Sequence, residues 1–592
     1  MNHAARSEVP SGPGAIPSPV AHPRPPEATV RALVAGGLIG ALLAAGNVYT
    51  SLKISLIDGG GITAALLAFG VFALSGRGRR AYGALENNVT QTAAGSAAVM
   101  SFVTGVVGPV PALAMVGARF SNVSLIVFGA AVGVLGIFIA ALLRRRLIVD
   151  EALPFPTGAA TGEVIETLFG ARSVAQRRIL LLVLGVVVAG AVTWFRDARP
   201  AIVPQGFMFG GALGGVTAAA LGLGVACSPL MLATGAMVGL RNSAGMLLGA
   251  TIARIVLGPW LLRNHVVADV DTGSLNTWLV WPSLGLMVAG SFLPLFLEAG
   301  TIVRSFRQLA SFLRPSARNV AASGSELSLR LWAPLLAAAV AIILFLGWLT
   351  FAVNPLIMFA AVALALLLAN VGARATGETD MGPAGALGTV SLVATSSRGT
   401  VTDTMSGSVT MGVTTQTSQM LWAFRAGHRL GASPRAQIGA QLLGVLVGAI
   451  VTVPVYHVIV ASYGIANEKM PAIAAMSWKA TADAMHGLAA LPRFGAAALV
   501  IGLGAGSALT LLARLRFLRW LPSAASIGVA FMMPFTLTLT ACAGALLALG
   551  VSLVFRRRGI DQASILALAS GGMAGEAIVG VVIAVLIAVG AL

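Results

Sequence analysis

Hydrophobic and polar positions divide the chain into a succession of apolar runs separated by short polar or basic punctuation. Runs of about 20 residues, enough to cross roughly 30 Å of hydrocarbon as a helix, recur from Val30 to the C-terminus. They fall near residues 30–51, 60–75, 90–117, 122–143, 179–195, 207–226, 229–240, 243–262, 277–297, 331–351, 355–371, 383–397, 436–461, 494–513, 524–555 and 563–591. Some are long enough to split and others short enough to re-enter, so about 14 to 16 crossings are expected. A membrane β-barrel would need alternating segments of about 10 residues, whereas these runs are continuous and rich in Ala, Leu and Gly. Helices satisfy their own backbone groups in lipid. The expected fold class is therefore all-α: a polytopic integral membrane protein with broken or re-entrant segments.

Composition strengthens this reading. Of 592 residues, 57% are hydrophobic and 10% charged, against about 25% charged in a soluble chain. Mean hydropathy is +0.91. Glycine is abundant, with 71 residues, and its small-xxx-small spacing at Gly36/Gly40 and Gly211/Gly215 predicts close helix packing. The formal charge of +18 comes from short clusters between apolar runs rather than from a basic domain, which argues against nucleic acid and for a positive-inside bias. Clusters at Arg77–Arg80, Arg144–Arg146 and Arg172–Arg178 follow the second and fourth runs and precede the next. If these are cytoplasmic, so is the N-terminus, and the protein is expected in the cytoplasmic membrane.

Residues 1–28 are proline-rich and carry no apolar segment, so they are expected to form a disordered cytoplasmic tail. Two transmembrane halves follow, 29–320 and 321–592. Gly185–Thr193 resembles Gly444–Thr452, and each follows a basic loop that itself follows a Thr/Gly-rich stretch, Thr157–Thr167 or Thr400–Ser418. That shared order predicts an internal duplication. The stretch Ala152–Ala171 has basic residues on both sides and is too short to cross and return through the full core, so it is expected to form a shallow re-entrant loop or interfacial hairpin, with an amphipathic connector lying on the surface as the alternative.

Ionisable groups inside a membrane are costly and mark function by default. A desolvated carboxylate has a raised affinity for protons, which proton coupling requires. Glu163 and Glu576 have the most apolar flanks and, with Glu378 and Asp380, are the candidate proton carriers. Glu86, Glu166, Glu298 and Asp403 read more simply as structural or headgroup-level acids. Pro154, Pro156, Gly158 and Gly162 interrupt one segment, and Gly377, Gly382 and Pro383 another, leaving helix ends that favour anionic groups. Candidate substrate contacts are Asn47, Tyr49, Lys53, Glu86, Asn87, Asn88, Thr90, Gln91, Pro156, Thr157, Gly158 and Thr379. The neutral amides and hydroxyls among them suit peptide groups.

Cys227 and Cys542 match no metal-ligand spacing and read as buried thiols. His457 lies in an apolar setting and Asp483 shares a helical face with His486, but neither has enough partners for a metal site. No cofactor is implied, and no Walker loop appears. No nucleophile and base pair stands out by motif, so an enzyme is not the expectation.

Asn47–Lys53, Glu86–Ser96, Leu153–Gly158 followed by Glu163, Thr376–Pro383 and Ser570–Glu576 resemble, in order, signature blocks of the oligopeptide transporter family. Met470–Trp478 lacks the Pro-Gln-Ala pattern of many bacterial members. The resemblance implies about 16 membrane helices in two related halves and uptake driven by the proton gradient. It also implies substrates that are short peptides and glutathione-like thiols or, in the yellow-stripe-like branch, metal chelates. Protons, a small-molecule substrate and lipid are the expected partners; a homo-oligomer and a passive channel or facilitator remain open.

Overall fold

The computed structural model describes residues 26–57, 59–74, 82–170, 172–198, 202–213, 215–267, 272–297, 329–380, 384–396, 399–467, 469–485, 492–515, 517–518, 520–555 and 561–592. The basic run Arg77–Arg80, the boundary near residue 320, Glu298, His486, Gly382, Pro383 and nearly all of the proline-rich tail lie outside them.

Helices dominate. The first part comprises α1 (Val30–Ile54), α2 (Gly61–Leu74), α3 (Ala84–Ala98), α4 (Met100–Val103), α5 (Pro109–Ala114), α6 (Asn122–Arg144), α7 (Pro156–Gly170) and α8 (Arg172–Thr193). After four short strands come α9 (Pro229–Val238), α10 (Leu240–Thr251), α11 (Gly258–Arg263), α12 (Thr272–Leu297), α13 (Leu329–Leu349), α14 (Pro355–Thr379) and α15 (Ala384–Ala394). Then follow α16 (Thr400–Leu430), α17 (Pro434–Tyr463), α18 (Ile473–Met485), α19 (Gly495–Leu512), α20 (Ala524–Met532), α21 (Phe535–Phe555) and α22 (Gln562–Ala588). Among the described residues nine helical stretches are long and apolar enough to cross a bilayer. The protein is an integral membrane protein, and exposed apolar side chains such as Leu180, Val187, Val500 and Leu553 cover its outer faces.

Local chemistry explains many boundaries. Thr29, Ser228, Asn354 and Asp561 cap α1, α9, α14 and α22 by accepting from backbone N–H groups of the first turn. Pro229 and Pro355 sit at first helical positions, where their missing N–H costs nothing. Pro534 divides the run 524–555 into α20 and α21. The run 90–117 likewise breaks into α3, α4 and α5. Three π-helical turns, Arg145–Asp150, Trp194–Ala198 and Ile252–Leu257, each contain an arginine.

Two sequence expectations are corrected. Residues 207–226 form no membrane helix: β1 (Gly206–Met208) pairs antiparallel with β4 (Gly224–Ala226), and β2 (Ala212–Leu213) with β3 (Val216–Thr217). Glycine is too flexible to hold a helix here, and Gly211 and Gly215 adopt positive φ in the hairpins instead of lining a helix seam. Nor is Ala152–Ala171 a re-entrant hairpin. Its residues 156–170 form the single helix α7, because Gly158 and Gly162 let that helix lie flush on α16, against Trp422 and Ala426.

The small-residue seam predicted at Gly36/Gly40 is present: a Cβ at either would come 2.8 Å from Ala93 or Ala97 of α3. A second seam joins α8 to α22, where Gly571 faces the Leu182 carbonyl and Gly575 the Val186 backbone. These contacts bring α22 against both α8 and α1, which sets up the charged site below. Helix α16, by contrast, lies among α3, α6, α7, α14 and α15. It is buried on all sides for most of its length.

Candidate functional site

The best-formed polar site surrounds Glu576, which has no exposed surface. Its side chain leaves the middle of α22 toward the end of α1, where Lys53 Nζ donates to Oε1 at 2.8 Å. Arg196 Nη2 approaches the same oxygen at 3.1 Å. Ser228 Oγ lies 3.1 and 3.0 Å from the two oxygens, and the Leu230 N–H donates to Oε2 at 2.9 Å. Lys53 also donates to the Tyr49 hydroxyl at 3.0 Å.

Arg196 is placed by the π-helical turn that extends α8. The wider turn carries its guanidinium inward, a common use of such turns at functional positions. Both Asp197 oxygens take its Nε and Nη2 at 2.8 Å, and Nη1 donates to the Cys227 carbonyl at 2.7 Å. Gln205 Nε2 donates to Asp197 at 3.0 Å. Lys53, Arg196, Asp197 and Glu576 thus form a buried quartet whose two positive and two negative charges cancel. Truncating one member of such a pair leaves an uncompensated buried charge, at a cost of about 3–5 kcal/mol.

A second group closes the opposite end of the bundle, where Glu27 accepts from the Ser433 N–H and Arg31 pairs with Glu86 at 2.6 Å. Asp380, in left-handed conformation at the C-cap of α14, accepts from Thr157 N–H at 2.9 Å, Thr157 Oγ1 at 2.6 Å and Trp422 Nε1 at 2.9 Å. Beside it Arg374 bridges Glu151 at 2.7 Å and Glu378 at 3.0 Å, and Phe155 N–H donates to the Gly377 carbonyl. The Leu153–Gly158 and Thr376–Asp380 segments are therefore one latch.

Between the two ends runs a column of neutral polar groups. On α3, Asn87 donates to the Ala65 carbonyl, Gln91 to Asn88 and Thr90 to the Ala32 carbonyl. Facing or adjoining it, α16 buries Thr404, Ser408, Thr410, Thr414, Gln416 and Gln419. Each of these six has a side-chain polar atom with no hydrogen-bond partner among the described residues, as do Asn87, Asn88, Ser391 and Gln441. Such an atom costs about 1–3 kcal/mol if it stays unpaired. A closed, dry interior is a poor home for so many of them.

The remaining sequence candidates scatter. Asn47 is buried and donates to the Ala98 carbonyl, while Pro156 begins α7 at the surface. The side chain of Thr379 lies outside the described residues. Glu163 is not in the apolar setting its flanks suggested. It is 67% exposed and 3.5 Å from Arg429, because α7 turns Val164, Ile165 and Leu168 inward and Glu163 and Glu166 outward. Asp403 is buried and accepts from Ser396. Among the described residues no group of three His, Cys, Asp or Glu side chains could hold a metal.

Sequence reasoning missed Arg196, Asp197, Ser228 and the α16 column. Arg196 and Asp197 follow directly on the fifth apolar run, so their signal was its end. The Thr/Gly-rich stretch 400–418 was noticed, but as an insert between spans.

Lipid-facing helices around a charge-balanced, amide-rich interior define a polytopic membrane protein of the solute-transporting class. Comparison gives the family: residues 27–587 match the OPT oligopeptide transporter protein family, and the chain belongs to it. Two relatives are provisionally named oligopeptide transporters. One, from Saccharomyces cerevisiae, is 24% identical over 76% of this chain and 80% of its own length. The other, from Haemophilus influenzae, is 24% identical over 70% of each chain. A third, from Oryza sativa subsp. japonica, is provisionally named a metal-nicotianamine transporter. It is 22% identical over 86% of this chain and 82% of its own.

Proposed function

We propose that this protein is a secondary active transporter that couples downhill proton movement to the passage of a short peptide, a peptide derivative or a metal chelate. It works in the cytoplasmic membrane with its N-terminus on the cytoplasmic side. The observation that carries this reading is the buried quartet, in which one carboxylate on α22 ties together α1, the π-helical turn after α8 and the start of α9. A proton taken up by Glu576 would cancel its attraction to Lys53 and Arg196 and release α22 from α1. That makes protonation a conformational event, which coupling requires.

The neutral column on α3 and α16 supports the transport path. Its amides and hydroxyls suit a solute rich in peptide groups, and the latch at Asp380, which joins α14 to α7 and α16, would close the path beside that column. The names of the relatives support both substrate classes and do not choose between them. The test is uptake of labelled peptides and chelates by the purified protein in liposomes. Accumulation is expected only under an inward proton gradient. Equal uptake after the gradient is collapsed would remove the coupling, and large currents indifferent to solute would replace the carrier by a channel.

A further inference from the structure

The Glu576 carboxylate is held in the way a bound anion would be held. Every group that donates to it comes from elsewhere in the fold: Lys53 from α1, Arg196 from the π-helical turn, Ser228 from the α9 cap and Leu230 from the first turn of α9. Two cations, a hydroxyl and a helix N-terminus form a donor set complementary to any carboxylate. Nothing in that set requires the anion to belong to α22. Asp197 takes two nitrogens of Arg196 through both its oxygens and stands apart as their counter-ion. Among the described residues Tyr49 of α1 and Tyr463 of α17, whose rings meet edge to face at 6.3 Å, and Cys227, whose carbonyl accepts from Arg196, also adjoin this region.

Resting on the transport reading above, we propose that Lys53, Arg196, Ser228 Oγ and the Leu230 N–H form the site for a free carboxylate of the substrate. Glu576 is a tethered competitor that fills this site when substrate is absent. A peptide C-terminus and a carboxylate arm of a metal chelate share that chemistry. The site accommodates one anion at a time, because two carboxylates against these donors would repel each other at close range. Arrival of substrate therefore requires that Glu576 leave or carry a proton, which links occupancy to protonation without a separate gate residue.

The full-length protein in lipid nanodiscs tests this through thermal unfolding. Glu576→Ala removes the tethered anion. Sodium acetate, with ionic strength matched by sodium chloride, is expected to raise the midpoint of this variant saturably by several degrees and to leave the wild type unchanged. Acetamide should do nothing, and adding Lys53→Met should abolish the acetate response. Should the alanine variant not fold, Glu576→Gln fills the space without cancelling charge, and a smaller, still saturable acetate response is expected. No acetate-specific rise in the folded variants would overturn the proposal. On the wild type, inhibition of uptake by trialanine but not by its C-terminal amide would assign the site to peptides, and inhibition by iron(III) citrate to chelates. Equal inhibition by trialanine and its amide would overturn it. Acetate rescue without any proton-driven uptake would keep the anion site and sink the transport reading. Proton-driven uptake without acetate rescue would sink this inference alone.

Discussion

Glu576 and Glu163 show how far burial outweighs sequence context for a single residue. Both acids sit among apolar neighbours in sequence, yet one is fully buried between two cations and the other is exposed beside Arg429. Glu576→Gln is expected to cut the initial rate of proton-driven uptake roughly tenfold or more, an effect of about 1.4 kcal/mol or greater. Glu163→Gln should stay within about twofold of wild type, since exposed pairs contribute little; initial rates in liposomes compare them. Glu576 was legible in the sequence as a lone acid in the last apolar run. Its partners were not, because only the extra residue of a π-helical turn brings Arg196 to it. Asp561 offers a pH test at the aqueous end of α22. Burial pushes its carboxyl up, but hydrogen bonds from Ser564 and the Arg178 pair outweigh this and hold it below the usual carboxylate range. Its contribution to stability is present above the unfolded value of about 3.9 and fades as pH falls through the lower folded value. Asp561→Asn should therefore lower the unfolding midpoint at pH 7, with the difference from wild type shrinking below about pH 4.

At the level of elements, lipid contact decides what sequence reveals. Outer helices such as α8 and α22 must be apolar toward the bilayer, so hydropathy found them. Helix α16 is enclosed by other helices and has no such obligation; its Thr, Ser and Gln residues hid a 31-residue core element. The hairpins at 206–226 misled in the opposite sense, since glycine and apolar residues look like a span wherever flexibility is not weighed. The seam between α8 and α22 was not read at all, although the glycines were visible. Gly571→Leu should drive a side chain into the Leu182 backbone, with overpacking typically costing about 1–3 kcal/mol. A lower unfolding midpoint and reduced yield of folded protein are the expected readouts; an unchanged midpoint would mean the helices do not meet there.

For the whole molecule, the charged quartet ties α1 and α22 to the start of α9 while the Asp380 latch ties α14 to α7 and α16, so the two fasten different helices. In a background with Cys227 and Cys542 replaced by serine, a cysteine at Thr414 should react with a small water-soluble thiol reagent faster during transport than at rest. Identical labelling rates would place the route elsewhere. The all-α architecture was readable from the run lengths alone, whereas the column emerges only from tertiary packing of α3 against α16. The neutrality of the quartet has an electrical corollary. A rigid group of zero net charge does no work against the transmembrane voltage when it shifts, but the same group bearing one added proton gains about 2.3 kcal/mol for each 100 mV fully traversed. An inside-negative potential would then favour inward movement of the protonated group and leave the unprotonated one indifferent.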